Sequence, residues 1–82
     1  MYEVEGSSLS IFPNPTNGKV SIESGVELIR IKLFDATGRL IEDFDINNKS
    51  SHVLDLSNLE PAVYSVVIST VNGEHVERIV RY

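Results

Sequence analysis

The chain has 82 residues, 41% of them apolar and 23% charged, with a formal net charge of −5 and no cysteine. So short a chain buries only about 60% of its unfolded surface, which supports one core at most and leaves no room for an elaborate catalytic cleft. Without cysteine nothing but apolar packing holds the fold; the acidic balance and seven scattered Lys and Arg exclude a basic stripe for nucleic acid, and no apolar run reaches the roughly 20 residues of a membrane span.

Residues 1–8, MYEVEGSS, are small, polar and acidic without periodicity, which predicts a linker remnant before a folded unit spanning 9–82. They lack the basic and apolar regions of a signal peptide, so an export address would be supplied from outside this chain. LSIF reads as a first strand ending at Phe12. The stretch FPNPTNGKV then stops it: Pro13 and Pro15 each fix φ and remove an N–H, and Asn14, before a proline, is pushed towards extended backbone. Asn17 and Gly18 tolerate positive φ, so a sharp turn is expected before Lys19 opens the next strand.

KVSIE and LIRIKLF follow, the latter with Ile29, Ile31 and Leu33 on one face and Arg30 and Lys32 on the other. DATGR places Gly38 where a short hairpin loop needs a left-handed residue. After RLIEDF comes DINNKSS, read as a polar loop, then HVLDL and a crossing segment, SNLEP, in which Leu59 is expected to tuck under the fold. AVYSVVIST has apolar residues on both faces and is expected to be a central strand. Asn72-Gly73 predicts a two-residue hairpin into HVERIVR. About seven short strands with antiparallel turns predict a small all-β sandwich. Its expected core is Ile11, Val20, Ile22, Ile31, Leu33, Leu54, Leu56, Tyr64, Val66 and Ile68.

The chemistry-bearing residues are sparse. His52 and His75 are the only histidines, too few for a zinc site of three or four protein ligands. DFDINN opens like a calcium loop with Asp43, Asp45 and Asn47, but Asn48 stands where the loop needs Gly and Leu54 where a closing Glu belongs. Ser50, Ser51 and His52 are neighbours on an expected strand, which sends adjacent side chains to opposite faces. No Gly-rich phosphate loop runs from a strand into a helix. No catalytic residue, metal or cofactor is assigned, and the residues lead to a sandwich that binds or is bound.

The ordered motifs say more. IFPNPTNGKVSIE, IKLFDATGRLI, LDLSNLEPAVYSVVIST and NGEHVERIVRY, in that order and spacing, resemble the C-terminal sorting domain of the type IX secretion system, type A, of Bacteroidetes (the Por secretion system family). The resemblance covers about residues 9–82. It implies an immunoglobulin-like antiparallel β-sandwich at the end of a secreted protein, non-catalytic and without cofactor. The domain would carry a covalently joined N-terminal cargo from the periplasm across the outer membrane. Its implied partners are an outer-membrane shuttle protein, the type IX translocon and a sortase-like protease that removes the domain and attaches the cargo at the cell surface.

Onto this sequence the family's PNP-x-x-G corner falls at Pro13, Asn14, Pro15 and Gly18, its D-x-x-G-R turn at Asp35, Gly38 and Arg39, and its L-x-x-G-x-Y element at Leu59 to Tyr64, with Ala62 in place of the glycine. The basic residues of the last strand correspond to Arg78 and Arg81. The C-terminal strand, as an exposed edge open to strand addition, is the expected contact for a receptor, with the proline corner as the other candidate. The alternative is an immunoglobulin-like accessory module that binds carbohydrate or stabilises a neighbouring enzyme. A carbohydrate platform favours exposed aromatics, whereas Trp is absent and the six Phe and Tyr are assigned mostly to core or termini.

Overall fold

A computed structural model describes residues 9–82, apart from the side chain of Asn48; the expected linker, residues 1–8, lies outside the described residues. Five strands form, each antiparallel to its neighbours: β1 (Leu9–Phe12), β2 (Lys19–Phe34), β3 (Leu40–Asp55), β4 (Ala62–Thr70) and β5 (Gly73–Arg81). The expected segments all form, but KVSIE and LIRIKLF run together as β2, and RLIEDF and HVLDL as β3. DINNKSS is therefore not a loop: it continues β3 through an irregular register opposite Glu23 to Arg30.

Those irregularities make the sandwich. A strand of 16 residues at about 3.3 Å per residue would span about 53 Å, well over the molecule's longest dimension of 38 Å. β2 and β3 bend together where their register shifts, between Glu23 and Arg30. The first limb of β2 pairs with β1 and with the end of β3; the second limb pairs with the start of β3 and with β4, which carries β5 on its far side. The two limbs are the two layers.

Between them lies one apolar cluster. Nine of the ten expected core residues are buried, and Ile11 is half-buried against the cluster, as is Leu59. Leu28, Ile46 and Ile79 complete it. Ile29 departs from expectation at 48% exposed. The register shift between Leu28 and Arg30 breaks the alternation there, so Leu28 turns inward and Ile29 outward. At the β4–β5 hairpin the loop is Val71 and Asn72, one residue earlier than expected, and Gly73 opens β5 at φ +128° opposite Thr70.

Candidate functional site

All the candidate segments gather at one end of the sandwich, where both limbs of β2 begin and finish. The corner after β1 has cis peptide bonds at Phe12–Pro13 and Asn14–Pro15. Two prolines leave this stretch with few N–H groups, and the Asn14 side chain stands in for a strand. Its amide Nδ2 donates to the Arg78 carbonyl at 2.7 Å, and its Oδ1 accepts from the Val80 N–H at 2.9 Å. Thr16 continues as a parallel bridge to Arg81: its N–H donates to the Val80 carbonyl, and its carbonyl accepts from the Tyr82 N–H, each at 2.9 Å. The edge of β5 from Arg78 to its end, and Tyr82 after it, is thus covered by the corner, which corrects the expectation of an open C-terminal edge.

The turn itself is closed by Thr16, 1% exposed, whose hydroxyl donates to the Lys19 carbonyl at 2.8 Å and accepts from the Gly18 N–H at 3.1 Å. Gly18 does not adopt positive φ. It packs instead against Ser57, whose Cβ lies 3.4 Å from where a Gly18 Cβ would sit, and its carbonyl accepts from the Leu56 N–H. Arg81 draws the same parts together. Its guanidinium donates to the Leu56 carbonyl at 2.9 Å, to the Ser57 carbonyl at 3.3 Å and to the Tyr82 carbonyl. Arg81 is half-buried and engaged, not the free surface cation that an exposed last strand suggested.

The other two motifs are turn locks at the same end. Asp35 Oδ1 accepts from the Thr37 N–H, the Thr37 hydroxyl and the Arg39 N–H at 2.9, 2.6 and 3.0 Å. These donors hold its carboxyl below the usual range, the Thr37 hydroxyl first. Gly38 supplies the left-handed residue at φ +90°, as expected. Arg39 pairs with Asp35 at 3.3 Å, its side chain 81% exposed. The Tyr64 hydroxyl donates to the Glu60 carbonyl at 2.5 Å, the tyrosine corner of immunoglobulin-like sandwiches. Asp35, Arg39, Leu59 and Tyr64 line one shallow depression. Ala62 begins β4 opposite Arg81 with its methyl exposed, so the element closes without the family glycine.

The remaining polar groups do not assemble a reactive centre. Arg30 donates its Nε–H and one Nη–H to the two Asp43 carboxylate oxygens at 2.7 Å each, and its Nε lies 3.8 Å from Asp45, so the DFDINN carboxylates face an arginine. His52 packs at a tilt against Phe44, ring centroids 4.8 Å apart, and burial lowers its pKa, with Lys49 adding to the shift. Among the described residues no group of three or more His, Asp or Glu is placed to hold a metal ion.

Residues 10–81 match the family described as "Secretion system C-terminal sorting domain". The chain belongs to this family. No curated protein matches it. A crystal structure of a duf3244 family protein with an immunoglobulin-like β-sandwich fold, from Bacteroides vulgatus, is similar at a TM-score of 0.77 and 12% identity, over 93% of this chain and 86% of that one. The sorting domain is thus an immunoglobulin-like sandwich whose family points to a non-catalytic module of type IX secretion. Sequence reasoning about the sorting domain missed Thr16 and the carbonyls of Leu56 and Ser57. A Thr two residues before Gly18 is a local signal for a hydroxyl-closed turn; the carbonyl contacts carry none, because any residue could supply them.

Proposed function

We propose that residues 9–82 are the address by which a cargo, joined through the linker at 1–8, is taken from the periplasm to the cell surface or medium by the type IX machinery. An outer-membrane shuttle protein and the translocon read the folded domain, and a sortase-like protease then cuts in the linker and attaches the cargo at the surface. What supports this reading most is that the corner, the two turn locks and the last strand, far apart in sequence, form one end of a domain in the sorting family. Asn14, Thr16, Asp35, Tyr64 and Arg81 spend their polar groups on holding that end in shape, so a receptor meets a preformed surface with little ordering entropy to lose.

The test is a fusion of residues 2–82 to a periplasm-directed reporter. The reporter should reach the surface or medium in a host with the type IX machinery and stay in the periplasm of one without it, and mass spectrometry should place the cut within residues 2–9. Equal export in both hosts would sink the reading, and a cut inside a strand, such as at Val53, would sink the processing step.

A further inference from the structure

The sorting domain has four arginines, and they differ in what they hold. Arg30 is spent on Asp43, Arg39 on Asp35 and Arg81 on backbone carbonyls. Arg78 makes no ion pair or side-chain hydrogen bond among the described residues. It stands exposed on the outer face of β5, opposite Ser65 of β4, while the cross-strand pairs Val63–Val80 and Val67–Val76 flank it on either side. Three of those valines are strongly exposed: Val63 at 41%, Val80 at 39% and Val76 at 68%. Alternation puts Ile79 into the core and leaves this valine frame to solvent, and Asn14 fastens the proline corner beside it through the Arg78 carbonyl.

An unpaired guanidinium framed by exposed apolar side chains has the make-up of an interface anchor: Arg is enriched at binding hot spots, and an apolar surround excludes water from the charge once covered. Across β4 the face continues with Phe34 opposite Ser65 and Lys32 opposite Val67, both half-buried, and farther along with Glu74 and the Arg30–Asp43 pair, where it is charged in both signs. We propose that the valine frame around Arg78 docks on an apolar surface of the secretion machinery that carries one carboxylate, which takes Arg78 as its partner. The chain's own charge of −5 argues against an acidic lipid surface or a second acidic copy in that place. The inference rests on the sorting reading and adds the chemistry of the partner.

The experiment uses the reporter fusion in a host with the type IX machinery and follows export together with thermal unfolding of each purified domain. Arg78→Glu should lower export at least about tenfold and Arg78→Lys less than about threefold. Val63→Ser with Val80→Ser should lower it at least about fivefold, whereas Val53→Ser, exposed elsewhere, should leave it unchanged. All four should melt near the parent. Machinery-dependent export of the parent with normal export of Arg78→Glu overturns the docking inference alone; machinery-independent export of the parent overturns the sorting reading itself. Equal losses for Arg78→Glu and Arg78→Lys would remove the carboxylate from the account. Concentration-dependent dimerisation in the ultracentrifuge, or retention on phosphatidylglycerol vesicles, abolished by Arg78→Glu, would hand the face to a second copy or to lipid and overturn the proposal.

Discussion

Thr16 and Thr70 are buried polar residues at opposite ends of the sandwich, and their hydroxyls do the same local work. Each accepts from the N–H two residues on, Gly18 or Asn72, and donates to the carbonyl three residues on, Lys19 or Gly73. At the Thr70 end that closes a hairpin between strands already adjacent in sequence. At the Thr16 end the same device aims a corner at β5, and Asn14 reaches a carbonyl 64 residues away. The hairpin lock joins sequence neighbours, although β2 packs beside it through the Val71 N–H on the Glu27 carbonyl; the corner lock joins segments that meet only in the finished fold. A feature assembled in that way exists only in the folded domain.

Packing carries the largest expected effects. Leu56 at the motif end and Leu28 at the far end are both buried, at 0% and 1% exposed. Truncating either to Ala should cost about 2–5 kcal/mol by urea denaturation, with no systematic bias to one end. A near-neutral Leu56→Ala would mean that polar ties rather than apolar packing hold the motif end.

Next come the threonines. Thr16→Val removes the partner of the buried Gly18 N–H and should cost about 1–3 kcal/mol, whereas Thr70→Val removes part-buried ties to the exposed Asn72 and Gly73 and should cost less. They should differ in reach: in native-state hydrogen exchange Thr16→Val should weaken protection of the distant Val80 and Tyr82 amides, which depend on the corner, whereas the effect of Thr70→Val should stay at the hairpin. Identical exchange patterns would erase the distinction.

The two arginines of β5 should differ as well. Arg81→Gln gives up charged donors to the Leu56 and Ser57 carbonyls and should cost about 1–3 kcal/mol. Arg78→Gln, which holds nothing in the domain, should stay within about 0.5 kcal/mol. A larger loss at Arg78 would expose an internal role and weaken its use as a docking probe.

Acid should act in two stages, and its effects are the smallest. Burial lowers the pKa of His52, so below about pH 6.5 the unfolded chain takes up a proton that the folded domain resists. Stability should therefore decline as pH falls from there, and His52→Phe should remove that first step. Asp35 and Asp55 are lowered by the hydroxyls of Thr37 and Ser57, so their contribution persists above about pH 3.9 and fades only below it. A single acid step, unchanged in His52→Phe, would show that the histidine does not titrate with folding.

The sequence alone shows the strand-forming runs, the left-handed Gly38 and nearly all of the core, because alternation and turn chemistry act between residues close along the chain. It also carried the family in the order of its motifs. Alternation places Ile29 on the inner face and passes over Leu28, because a bulge shifts alternation without any residue type to announce it, and DINNKSS hides a buried Ile46 among polar neighbours. The corner's cover over the C-terminal strand, the engagement of the Arg81 side chain but not of Arg78, and the service of β2 and β3 to two layers each arise in the tertiary fold. Those outcomes depend on which backbone groups are left unpaired after the sheets close, and that is settled by the meeting of distant segments rather than by any local pattern.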